Sequence, residues 1–264
     1  MHTGTDKMIA RKDGAIGWMI FNSPARRNAV SVDMWAAMPA ILGAFEADNE
    51  IRAIVLAGAG ENAFIAGADI SEFDQKRGSA EAVKEYEAIS ASAHRALVGA
   101  TKPTIAMIRG VCVGGGVAVA LGCDLRIAAD DGRFAVPAAK LGLGYGYGGI
   151  KRLIDVVGPA FAMEIFYTAR LFDAAEALHM GLVNRVVPAA ELESYVRNYA
   201  ATIAANAPLT MAAVKQAVGE ALKDESRRDL QSVQKAVDAC FASDDYKEGR
   251  RAFMDKRKPK FNGR

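Results

Sequence analysis

Apolar residues fall along this chain in two rhythms. Short runs rich in β-branched residues, at 15–21 (AIGWMIF) and 51–57 (IRAIVLA), are bounded by Gly or polar turns and predict strands. Between them Val32, Trp35, Ile41, Leu42 and Phe45 recur near helical spacing. Ser31 can cap that helix, which should run to about Ala47, although Pro39 inside it removes one backbone hydrogen bond. The alternation then repeats, with a helix over 80–97, a strand over 104–108, a helix over 115–121 and a strand over 124–129. This rhythm predicts an α/β fold of parallel or mixed sheets with helices outside. From Gly148 onward helical patterns dominate, interrupted by one strand at 184–187. Asp173-Ala-Ala-Glu176 reads as a capping box and Gly181 as a helix stop. Ser243 opens a last helix with Asp244 and Asp245 early and Arg250 and Arg251 late, which suits the helix dipole. The expected division is an α/β core over 1–190 and a helical region over 191–264.

Composition narrows the function classes. The 264 residues are 51% hydrophobic and 24% charged, enough for one large domain that needs no disulfide or metal support. Cys112, Cys123 and Cys240 form no CxxC pair and leave an odd count, which favours a reducing, cytoplasmic location. His2, His94 and His179 are scattered, and no metal site is expected. A net charge of +2 supplies no field for nucleic acid. No basic-then-apolar leader opens the chain, and the longest apolar run, at 110–123, is too short for a bilayer, so no membrane association is expected.

Two segments can carry chemistry. The first is Val111-Cys-Val-Gly114-Gly115-Gly116-Val-Ala118, directly after a predicted strand. Three glycines at a strand-to-helix junction let a ligand approach the main chain, and the first N–H groups of the helix lack internal partners. Such a site favours a developing negative oxygen; a tight packed turn is the plainer reading. A phosphate cradle is disfavoured because the Lys-Ser/Thr of a P-loop is missing. The second is Ala63-Phe-Ile-Ala66-Gly67-Ala68-Asp69-Ile70, where Asp69 can act on substrate or hydrogen-bond a turn.

Together these segments resemble the crotonase (enoyl-CoA hydratase/isomerase) family. Further matches are Asn28-Ala29 after Pro24, Cys123-Asp124, Phe134 with Pro137, Leu141-Gly142, Ala175-Glu176-Ala177 with Gly181-Leu182-Val183-Asn184, and Lys256-Arg257-Lys258-Pro259. The resemblance runs from about Ile16 to Phe261. It implies a crotonase-like spiral of ββα units and a C-terminal helical layer that builds a homotrimer or a hexamer. It also implies an acyl-CoA thioester substrate, with coenzyme A entering as part of that substrate and no tightly bound cofactor. By position, an oxyanion hole would be formed by the N–H groups of Ala66 and Gly115, next to Gly114. Arg26, Ala29, Ala68 and Asp69 would line the coenzyme A and substrate groove, and Phe253 and Lys256 could approach the adenine and phosphates.

The chain departs from the family at the acid–base positions. Enoyl-CoA hydratases carry one glutamate three residues past the middle glycine, here Ala118, and another after the Pro of the Phe-containing strand, here Ala138. A methyl group neither orients water nor moves a proton, so ordinary hydration should be crippled. Isomerases also use the second glutamate, and the nucleophilic Asp of aryl-CoA dehalogenases is replaced by Gly146. Tyr145 instead resembles the active-site tyrosine of methylmalonyl-CoA decarboxylase, although the histidine of that enzyme is Ala68 here. The expectation is a lyase, with decarboxylation the favoured reaction and Tyr145 or water protonating the enolate; Tyr147 would line the same loop. Alternatives are a hydratase with other acid–base groups and a catalytically silent acyl-CoA-binding protein. Lys140, Glu72 and His94 are further proton-handling candidates.

Overall fold

The structure, a computed structural model, describes residues 3–69 and 80–264. Its chain opens with a hairpin, β1 (Met8–Asp13) against β2 (Ile16–Phe21), which pair antiparallel. The sequence pattern missed β1 because its outer half, Arg-Lys-Asp, is polar and exposed, as an edge strand requires. Helix α1 (Val32–Ala47) follows, burying Met34, Trp35, Met38, Ile41, Leu42 and Phe45 and accommodating Pro39. Ser31 stands at its N-cap position, but its hydroxyl makes no capping bond.

The remaining strands come in pairs that split between two sheets. β3 (Ala53–Gly58) joins the first sheet and β4 (Ala63–Ile65) the second. β5 (Thr104–Ile108) and β6 (Val111–Val113) divide in the same way, as do β7 (Leu125–Ala129) and β8 (Arg133–Ala135). Helices α2 (Ala80–Val98) and α3 (Gly115–Gly122) follow the first two pairs, and α4 (Tyr147–Thr168), kinked at Gly158-Pro159, follows the third. The result is the anticipated spiral: two strands and a helix per turn. β9 (Phe172–Asp173), α5 (Ala174–His179) and β10 (Arg185–Val187) complete the sheets. The six-stranded sheet has the order β1-β2-β3-β5-β7-β10 and the four-stranded one β4-β6-β8-β9. Every neighbouring pair except β1–β2 and β8–β9 is parallel.

Local signals in the second half hold. The Asp173 carboxylate accepts from the Glu176 N–H at 2.8 Å, and the Glu176 carboxylate accepts from the Asp173 N–H at 3.0 Å. Gly181 takes a φ of 75° just past α5, and Ser243 Oγ accepts from the Tyr246 N–H. The helical region comprises α6 (Leu192–Ala204), α7 (Pro208–Ala221), α8 (Leu230–Ala242) and α9 (Asp244–Met254). Leu192, Val196 and Ala200 of α6 pack on Trp18, Val55, Ile105 and Ile127 of the large sheet. That helix therefore covers the core, and the outer layer begins with α7.

Candidate active site

The glycine run at the start of α3 lies against the segment that follows β4. Gly114 holds a φ of 53° and ψ of −109°, a conformation open in practice only to glycine. A β-carbon on Gly116 would stand 2.3 Å from the Ile65 carbonyl oxygen, so the first helical turn and residues 65–68 touch backbone to backbone. Gly115 sits differently. A β-carbon there would lie 3.6 Å from the Ala68 nitrogen and 3.7 Å from Cζ2 of Trp35, ordinary van der Waals contacts, so the space beside Gly115 can take a methyl group.

Which amides face that space follows from the pairing around it. Val30 bridges to Ala68: the Val30 N–H donates to Gly67 O at 2.8 Å and the Asp69 N–H donates to Val30 O at 3.0 Å. Ala68 therefore directs its own N–H to the other side, and among the described residues that N–H has no acceptor. Gly115 is the first residue of α3, so its N–H lacks an intrahelical acceptor as well. The Ala66 amide is otherwise engaged, donating to Arg27 O at 3.0 Å. Ala66, expected to pair with Gly115, thus has its N–H already bonded, and the amides without an acceptor at this junction are those of Ala68 and Gly115 among the described residues. Between Ala66 and Ala68, Gly67 turns the chain with a φ of 123°.

The loop bearing Arg26 and Ala29 is fixed from beneath by Asn28. Its buried amide donates to Ala59 O at 3.0 Å and Ala63 O at 2.8 Å, and its carbonyl accepts from the Ser23 N–H at 2.9 Å. Asn28 itself takes a φ of 55°. Both Asp69 oxygens accept from Arg26 Nη1, at 3.0 and 2.8 Å. This engagement makes Asp69 a loop anchor and a poor proton carrier. Ala29 stands half-buried on the same loop, its N–H bonded to Arg26 O.

Of the side chains around this space, sequence reasoning singled out His94 as a candidate but not Trp35 or Arg152. Trp35, on α1, donates through Nε1 to the Tyr86 hydroxyl at 3.0 Å and packs its ring 5.1 Å from that of His94. Burial, assisted by the charge of Arg152, pushes the His94 pKa down to about 4, so the imidazole is neutral near pH 7. Arg152 Nη1 lies 3.7 Å from the β-carbon position of Gly122, at the far end of α3. Ala118 lies between Gly115 and Gly122 on this helix and stays half-exposed while Val117 and Val119 are buried.

Ala138 is buried in a 3-10 turn over Pro137–Leu141, with Lys140 exposed on that turn. Tyr145 follows, its ring edge-on to Phe166 at 4.8 Å and over Gly149, and burial raises its pKa. Tyr147 begins α4 and is 79% exposed. Phe253 lines a separate apolar groove of about 860 Å³ between α7, α8 and α9, and Lys256 is exposed just beyond it. Glu72 lies outside the described residues.

Residues 11–264 match the family model described as enoyl-CoA hydratase/isomerase. The chain belongs to the enoyl-CoA hydratase/isomerase family. A short-chain-enoyl-CoA hydratase of Clostridium acetobutylicum is 36% identical over 96% of each chain. A crotonyl-CoA hydratase of Syntrophomonas wolfei is 34% identical over 97% of this chain and 98% of its own. The structure of an enoyl-CoA hydratase/carnithine racemase from Magnetospirillum magneticum superposes with a TM-score of 0.92 at 36% identity, covering 98% of this chain and 97% of that one. As an enoyl-CoA hydratase/isomerase family enzyme, this protein acts on acyl-CoA.

Proposed function

We propose that this enzyme is an acyl-CoA lyase that works by holding a thioester enolate between the Ala68 and Gly115 amides. The observation that carries the reading is the close approach of residues 67–68 to Gly115, with the Ala68 and Gly115 N–H groups both lacking acceptors among the described residues and one of them at a helix N-terminus. In the favoured reaction, decarboxylation, the bond between the α-carbon and a β-carboxylate breaks and carbon dioxide leaves. The electron pair moves into the enolate, whose oxygen accepts from the two amides, so no base is needed. A proton then reaches the α-carbon from Tyr145 or water. Burial keeps the Tyr145 phenol protonated, as a donor must be. Arg26, Ala29 and Gly114 would border the thioester and its coenzyme A, with Phe253 and Lys256 approaching the nucleotide end.

Hydration is the second reading, favoured by the names of the two relatives. Against it stand Ala118, Ala138 and an Asp69 tied to Arg26. Incubating a panel of acyl-CoA thioesters, including crotonyl-CoA and malonyl-type thioesters, in deuterated water separates the readings by mass spectrometry. Loss of carbon dioxide with deuterium at the α-carbon supports the lyase, and efficient water addition to crotonyl-CoA overturns it. No turnover and no exchange on any thioester would leave a binding protein. The exposed Val214 and Val218 of α7, Leu222 just after it, and Phe253 and Met254 of α9 support assembly as a homotrimer or hexamer, which light scattering tests. Three unpaired cysteines support a cytoplasmic location.

A further inference from the structure

One cation near the site has no counter-ion. Among the described residues Arg152 makes no hydrogen bond and no ion pair. The carboxylate that most affects it, Asp155, is held by Lys151 at 2.6 Å. Partial burial lowers the Arg152 pKa, and none of its N–H donors meets a protein acceptor among the described residues. The Arg152 charge acts on His94, whose ring nitrogens likewise have no hydrogen-bond partner among the described residues. Packing links both groups to the amide pair. Trp35 touches the Gly115 position at one side and His94 at the other, and Arg152 reaches the Gly122 position of the same helix. Leu97 packs on Gly122, its Cδ2 at 2.7 Å from the β-carbon position, and closes that end.

We propose that Arg152, with His94 beside it, receives a carboxylate at the far end of the acyl chain, so that the substrates are thioesters of dicarboxylic acids. Guanidinium and carboxylate match as a two-bond fork, and a neutral imidazole adds one further donor. Gly115 and Gly122 are seven residues apart (122 − 115). A rise of about 1.5 Å per residue separates them by roughly 10 Å, which suits an acyl chain of about five to seven carbons ending on the guanidinium. The proposal rests on the enolate reading of the Ala68–Gly115 site but not on which bond breaks there.

The test compares adipoyl-CoA with 6-methylheptanoyl-CoA, in which an isopropyl group replaces the carboxylate at nearly the same size. Competition binding is read on the whole enzyme. The expected result is at least a tenfold preference for adipoyl-CoA, reduced in Arg152→Lys and abolished in Arg152→Met. Equal binding of the two thioesters by the unaltered enzyme overturns the proposal while leaving the enolate reading intact. Absence of turnover of every thioester of the panel, with a preference for adipoyl-CoA retained, removes the enolate reading and leaves the carboxylate preference standing. The comparison on the unaltered enzyme decides the matter even if a variant fails to fold.

Discussion

Replacing Gly115 by alanine separates the chemistry of the glycine run from its packing. The new methyl would stand 3.6 Å from the Ala68 nitrogen and the Gly67 carbonyl carbon and 3.7 Å from Trp35, all comfortable contacts. Gly115 is not in the left-handed region, and alanine in a helix is favoured over glycine by up to about 1 kcal/mol. The variant should therefore fold with unchanged or slightly raised stability. The same methyl would crowd an oxygen that has to come within about 2.9 Å of both donor nitrogens. The Gly115 N–H stays in place, so the effect comes from displacing that oxygen, and forfeiting one oxyanion hydrogen bond lowers the rate on the order of a hundred- to a thousand-fold. Gly116→Ala is the contrasting case. Its methyl would meet the Ile65 oxygen at 2.3 Å, and neither backbone can yield cheaply, so a destabilisation of about 1–3 kcal/mol is expected. Urea denaturation and turnover of the active thioester on the same samples give both quantities. A well-folded Gly115→Ala enzyme that turns over within about threefold of the unaltered protein would refute the oxyanion argument.

Asn28→Ala removes three side-chain hydrogen bonds, one buried and two part-buried, and takes the Asn28 donor from Ala59 O and Ala63 O, so a loss of about 3 kcal/mol is expected from chemical denaturation. The His94 pKa is depressed to about 4 in the folded enzyme, against about 6.5 unfolded, so the unfolded chain takes up the proton first as pH falls. Stability present above pH 6.5 should decline towards pH 4 by up to about 3 kcal/mol, and His94→Phe should lack this component in denaturation midpoints measured across that window.

The alternation of apolar runs located the long elements to within a residue or two, because β3, β5, β7 and the core face of α1 are buried along their length. It did not mark β4 or β6 as strands. A three-residue strand such as Ala63–Ile65 or Val111–Val113 is too short to show a period, and its pairing comes from residues far away in the chain. The glycine run drew attention to its junction, since three missing side chains are visible in any reading of the sequence. The Ala66 amide was chosen as its partner because residue spacing does not say which N–H is already bonded. Val30 pairing with residues 67 and 69, the Arg27 carbonyl and the φ of Gly67 decide that. His94 was named from its chemistry alone, and its neighbours Trp35 and Arg152 were not legible, for the three come from three helices and meet only through packing.

Ala118 and the arginine without a protein partner lie close enough for a charge at one to act on the other. A glutamate at 118 would stand one turn before Gly122, within reach of the guanidinium whose Nη1 is 3.7 Å from that glycine's β-carbon position. Such a carboxylate would offset the charge of Arg152 and could also hold water against the thioester. With Ala118 neither happens, and the half-buried cation remains for a substrate group to neutralise. Ala118→Glu should accordingly move two properties in opposite directions. Water addition to crotonyl-CoA should rise by about a hundredfold or more, the scale of a positioned acid–base group. The preference for adipoyl-CoA over its neutral analogue should fall to near unity, because the engineered carboxylate competes for the same guanidinium. A variant that gained hydration and kept its full preference for the acidic thioester would show that position 118 and Arg152 do not share a charge balance, and the coupling argued here would be wrong.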